Sequence, residues 1–285
     1  MEGKLLTKEQ VEEISGRISK NVTEKIRRQL DKALQDNKQN IHQKTTQMKY
    51  EITDKAVKLG SMTLYRIKAL IDIPSKGVEA GAIGGYVESG DNLSQEGTAW
   101  IGDDAIVYGK AKVYDDAWVC DMAEVSGNAR VYGNAKVYVS ARVIESARVF
   151  DHARVYGNAR VYGQALVRES ARVFDYARVG EEAIVSGKVW ISDNARVHGE
   201  AIVSGRASVF DSASVFEGAG VFGDAQVCGT AQVHGTAQVH GTAIVSGGAE
   251  IRGSAEISGG ACEVWPANED RAEETETANT KRQRQ

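Results

Sequence analysis

Between Ala99 and Gly260 the chain writes apolar and polar positions in one fixed order, a hexad A-x-V-x-G/D-x repeated 27 times over 162 residues without an insertion or deletion. Position one is Ala in every repeat but that of Val189. Position three is Val, or Ile at Ile101, Ile191, Ile251 and Ile257. Position five is Gly in 15 repeats, Asp or Glu in 11, and Val139 once. A period this strict precedes any local propensity, because it dictates the architecture. Ala and Val two residues apart share one side of an extended segment, and positions two and four face the other way. Gly, Asp, Asn and Ser at positions five and six suit sharp corners. Each hexad therefore reads as a four-residue strand and a corner. So short a strand buries its Ala-Val edge only if successive units wind and stack in parallel.

The spacing seen in Val131-Tyr132-Gly133-Asn134-Ala135 resembles the hexapeptide repeat of left-handed parallel β-helices. In that family three hexads make one triangular coil. The resemblance implies an all-β fold, a single-stranded left-handed parallel β-helix of about nine triangular coils, roughly 43 Å long at about 4.8 Å per stacked strand. Handedness comes from the resemblance alone; the repeat itself gives stacking.

Upstream the pattern changes. Residues 62–98 carry Tyr65-Arg66-Ile67-Lys68-Ala69-Leu70, then Ala80-Gly81-Ala82-Ile83-Gly84-Gly85-Tyr86-Val87, then Asn92-Leu93-Ser94. They read as an N-terminal β cap, because the bare end of a β-helix is a sheet edge that recruits other chains. Followed by A-x-V-x-G hexads, these words resemble the start of phage- and prophage-encoded hexapeptide-repeat proteins, some labelled transferases and some polymer-forming. Residues 1–61 are polar and free of Pro, with Thr7-Lys8-Glu9-Gln10 as a capping box. Val11, Ile14, Ile18, Val22, Ile26, Leu30 and Leu34 then recur every three or four residues, extended thinly by Ile41, Met48 and Ile52. This predicts a long amphipathic helix, self-associating as a coiled coil or carried as a fused extension. Gly60-Ser61-Met62 leaves the choice between a natural extension and a fusion open. Residues 261–285 read as a terminal plug, Cys262-Glu263-Val264-Trp265-Pro266, and a disordered polar tail.

Composition narrows the function. Of 285 residues 42% are hydrophobic but only 7% aromatic, with 30 Gly and a net charge of −4. An interior of small repeated side chains argues against an ordinary α/β enzyme. No apolar run reaches membrane-spanning length, and the first residues lack a signal-peptide layout. Cys120, Cys228 and Cys262 form no CxxC pair or metal spacing. A cytoplasmic, reducing location in a host cell, or association with a virion, is therefore expected, with no cofactor, no metal and no membrane partner.

A filled interior sends function outward. Eleven of 19 aromatic residues occupy position four, and ten Lys or Arg occupy position two. Residues 18 apart share a face on the resemblance. One face then displays Lys136, Arg154 and Arg172 beside Tyr138, Tyr156 and Phe174. Another displays Lys112, Arg130 and Arg148 beside Tyr114, Tyr132 and Phe150, then Leu166, Ile184 and Ile202. Exposed aromatic and aliphatic rows predict side-by-side association, a homotrimer in the proteins resembled. Alternatively like residues stack along the ladder and stiffen the coil. Between Ala129 and Val179 nine Lys/Arg face four acids, an excess too small and too divided to make nucleic acid the expected partner.

Many hexapeptide-repeat proteins are acyltransferases that use a His as general base and a loop ejected from the coil. His198, His234 and His240 at position four are the candidates here. Unbroken hexads provide no such loop, so the chain reads as a non-catalytic structural or partner-binding rod. A trimeric acyl-CoA-dependent acyltransferase and an inhibitor of a host protein are the alternatives.

Overall fold

The computed structural model describes Lys8 and residues 24–35, 48–259 and 261–263. The chain divides into two units, Met1–Met48 and Lys49–Gln285. In the first, residues 24–35 are helical, and Ile26, Leu30 and Leu34 are each more than half exposed. Val11, Ile14, Ile18, Val22 and Ile41 of the expected stripe lie outside the described residues.

The second unit is a parallel β-solenoid of about ten turns, its strands gathered into three sheets. Pairing runs between residues eighteen apart: Lys136 with Arg154 on one sheet, Arg142 with Arg160 on the second, Arg148 with Leu166 on the third. Hexad positions one and three form the interior. Ala and Val there are fully buried from Ala99 to Val245. The alternating Ala and Val fill a cross-section too narrow for two large side chains at once. Backbone amides of each coil donate to carbonyls of the next, as Arg154 N to Ala171 O and Tyr156 N to Val173 O.

Every position-five residue, all 27, has a left-handed backbone with φ between 52° and 86°. Gly adopts this freely, whereas other L-residues lose about 1–2 kcal/mol. Most of the eleven acids compensate. Nine of them accept a hydrogen bond from the backbone N–H of the corner one coil further on, among them Asp151 from Glu169, Glu145 from Gly163 and Glu217 from Gly235. These carboxylates staple successive corners along the axis, a role that reading them only as turn formers misses.

The helix expected through residue 61 stops short of it. Tyr50–Leu59 is a strand, β1, paired antiparallel with β2, Met62–Ala69. Gly60-Ser61 is the two-residue hairpin turn between them, with Gly60 at φ 60°, so this sequence is a fold element and not merely a joint. Ile52, read as part of a helical stripe, lies in β1 and is exposed. The strand wins because the segment is anchored beyond itself. Lys49 is buried, its Nζ donating to Ala99 O at 2.9 Å and Glu96 O at 3.3 Å. Tyr50 OH donates to Leu93 O at 2.7 Å. A third strand, β3 (Ile83–Val87), pairs antiparallel with β2 and parallel with Ile106–Val107. The hairpin thereby occupies one N-terminal sheet edge. Buried Asn92 serves a second edge, donating to Gly109 O and Ala111 O. With this segment at one end and Ala261–Glu263 continuing a sheet at the other, the winding exceeds the nine coils of hexads alone. Cys262 and Glu263 thus belong to a strand, while Val264, Trp265, Pro266 and the tail lie outside the described residues.

Val139 is the one β-branched residue at a left-handed corner, with φ 62°. Val139→Gly is expected to stabilise the protein by about 1 kcal/mol, raising the melting temperature by roughly 2–4 °C in a thermal melt. Asp151→Ala, which keeps the strained corner and removes its staple, is expected to lower stability by about 1 kcal/mol in the same measurement, more than Asp151→Gly.

Candidate functional site

The outward columns are continuous. Tyr138, Tyr156 and Phe174 stack with ring centroids 4.9 and 5.0 Å apart, within 10° of parallel, beside the register-paired Lys136, Arg154 and Arg172. Tyr114, Tyr132 and Phe150 stack likewise at 4.8 and 4.9 Å. Each ring covers its neighbour, so the faces are spent within the coil and mainly edges meet water. Burial pushes the hydroxyls of Tyr114, Tyr138 and Tyr156 above the ordinary tyrosine range. Arg172 lies over Trp190, its guanidinium carbon 5.4 Å from the ring centroid. These rows have the geometry of internal stiffening.

The aliphatic row differs. Leu166, Ile184 and Ile202 are register neighbours on one sheet, Leu166 and Ile184 half-buried and Ile202 exposed. Gly220 follows Ile202 in the column, and the Phe222 ring lies over it, where a Cβ would meet ring atoms at 2.3 Å. The apolar strip therefore spans four successive coils, with Phe222 supplying the side chain Gly220 lacks.

His198, Phe216 and His234 form one stacked column, with centroids 5.2 and 4.7 Å apart. His234 Nε2 lies 3.0 Å from Glu250 Oε1 and its Nδ1 3.8 Å from Glu217 Oε2. His240 belongs to a different sheet and contacts Glu256 at 2.8 Å. The three histidines are thus not one constellation: two share a column without touching each other, and the third has its own partner.

Two features escape a face-by-face reading of the hexads. Arg142, Arg160, Arg178 and Arg196 are register neighbours in a single column, of which Arg142 pairs with Glu124 at 3.3 Å. The 18-residue spacing already encodes this column. The other is a concavity of about 500 Å³ lined by Ser75, Lys76, Thr98, Asp116, Asn134, Lys136, His152 and Arg154. It is built with a turn outside the repeat, Pro74–Lys76, closed by left-handed Gly77, and not with any loop ejected from the hexads. Lys76 Nζ donates to Asp116 O at 2.6 Å. Asp116 in turn accepts from Thr98 Oγ1 at 2.6 Å and Thr98 N at 3.2 Å, bonds that hold its carboxyl below the ordinary range. The hexad periodicity gives no signal for this site, since Lys76 precedes the repeat.

Asp103, Cys120 and Asp121 bring three metal-ligand atoms within 4.8 Å of one another. Both carboxylates already accept corner amides, from Asp121 N and Val139 N. Their geometry is accounted for by the staple.

The YdcK beta solenoid repeat model matches residues 147–163 and 153–169, within the arginine-bearing hexads. LpxA from Acinetobacter baumannii is similar in structure, with a TM-score of 0.52 at 13% identity, over 60% of this chain and 72% of that one. That likeness is one of fold. No curated protein matches the chain. Among the described residues no helix is long and apolar enough to cross a membrane.

Burial, with Asp121 and Asp103 adding to it, pushes the Cys120 thiol up to about 12, and Cys228 rises for the same primary reason. Since the thiolate is the nucleophile, iodoacetamide at pH 8 is expected to modify Cys120 far more slowly than a free thiol. Its rate should keep rising with pH toward about 12. Mass spectrometry of timed digests checks this; a plateau near pH 9 would refute it.

Proposed function

We propose that the protein is a non-catalytic, partner-binding rod, a left-handed β-helix that associates with further copies of itself side by side. The observation that carries this reading is the apolar strip of Leu166, Ile184, Ile202 and Phe222, continuous over four coils. Half-buried or exposed aliphatic side chains in register lose contact with water when a second flat face covers them, at about 25 cal/mol per Å² of apolar area. A solenoid face is well matched to another solenoid face, because both repeat at the same inter-strand spacing of about 4.8 Å. Ile26, Leu30 and Leu34, exposed along one side of the helix, supply a second self-associating stripe. The hexad resemblance supports three-fold assembly, a phage or prophage source, and a location in the host cytoplasm or a virion. The stacked tyrosines and their Lys-Arg neighbours act chiefly within the coil in this reading, with their edges and charges left to select a partner.

A second reading has one observation in its favour. His234 is held between Glu217 and Glu250, contacts that orient the imidazole, as general base catalysis of acyl transfer requires. Its site would lie where a neighbouring copy approaches the His198, Phe216 and His234 column.

Light scattering separates these readings. The intact protein is expected to behave as an oligomer, and Ile184→Glu to shift it toward monomer by placing a charge in the covered strip. A monomer at every concentration would overturn the association. Turnover of acyl-CoA, abolished by His234→Ala but not by His240→Ala, would replace the rod with the enzyme.

A further inference from the structure

We propose that the concavity beneath Lys76 is a binding site for a phosphate dianion, free or as the monoester of a small molecule. The walls come from two parts of the fold. Lys76 reaches in from the Pro74–Lys76 turn, while Lys136 and Arg154 are register neighbours on the solenoid sheet below. Asn134, Ser75 and His152 add further polar groups around the same hollow. Its volume of about 500 Å³ lies within the range of small-molecule pockets. It exceeds what an isolated phosphate fills.

Charge selects the ligand. Three cations, Lys76, Lys136 and Arg154, face one carboxylate, Asp116, leaving an excess of two positive charges. Asp116 does not neutralise them by contact: its carboxylate is held by Thr98, and Lys76 bonds its backbone carbonyl. Among the described residues, neither Lys136 nor Arg154 has a carboxylate within 4.0 Å. The ammonium groups of Lys76 and Lys136 also share one indole, lying 5.8 and 5.1 Å from the Trp118 centroid. Two like charges are thus gathered around one ring. Burial, and then Lys136, hold Lys76 below the ordinary lysine range against the pull of Asp116. A dianion with several acceptor oxygens relieves that repulsion and meets the guanidinium fork of Arg154 with matching geometry.

Isothermal titration of the full chain with glycerol phosphate, a phosphate monoester, tests the site. One-to-one saturable binding is expected, weakened about tenfold or more by Lys136→Ala and by Arg154→Ala, the loss of one charge-assisted bond. Asp116→Asn, which keeps an acceptor for Thr98 and removes the repelling charge, is expected to tighten binding several-fold. Because it is a gain, it cannot be mistaken for misfolding. Arg178→Ala, on a different sheet, should leave affinity unchanged. No saturable heat up to about 10 mM, an affinity too weak to be a site, would overturn the proposal, as would equal loss in Arg178→Ala. Inorganic phosphate, titrated in parallel, identifies whether the free anion or the ester is preferred.

Discussion

The corner is the constraint on which the solenoid rests. Each turn of backbone donates its amides to the next, and that ladder survives only if the chain bends at the same residue every six positions. The bend demands a positive φ at position five, met at all 27 hexads. A single corner out of phase would slip Ala and Val from the interior to the surface, because side chains alternate along a strand. The filled core, the three sheets and the outward columns all follow from keeping that phase.

Two chemistries satisfy the corner. Gly meets it by lacking a Cβ, and the close approach of stacked corners shows how little room remains: a Cβ on Gly163 would come within 2.7 Å of the Glu181 backbone. Asp and Glu meet it by returning a hydrogen bond to the corner one coil on. The acids therefore look like surface charge in a composition table yet act along the axis as part of the backbone ladder. Much of the charge balance is structural for this reason, with cations on the faces and anions at the edges.

The same periodicity separates surfaces that are self-satisfied from those that are not. Stacked rings and paired columns complete their contacts inside one chain. The aliphatic strip and the hollow under Lys76 do not: the first leaves apolar area in water, the second gathers like charge. Both are incomplete for opposite physical reasons, and in the readings proposed above a second copy would cover the first and an anion would fill the second. They lie on different sheets, so association along one face would leave the other open to ligand.

The hexads alone determined most of the fold. A-x-V-x-G/D-x states which residues are inside, where the strand ends, and, once three hexads make a coil, that Lys136 stands beside Arg154 and Tyr138 beside Tyr156. These are properties of a one-dimensional repeat, where each residue's neighbours sit at a constant offset. What lay outside the repeat required the tertiary structure. Residues 50–59 carry apolar spacing compatible with a helix, and only the pairing of β1 with β2 and the burial of Lys49 and Tyr50 make them a strand. Position five announces a turn, but not that Asp151 reaches the amide of Glu169. Lys76 gives no sign of meeting Asp116 forty residues later. No periodic offset links them, and the contact exists because the N-terminal segment folds back over the first coils.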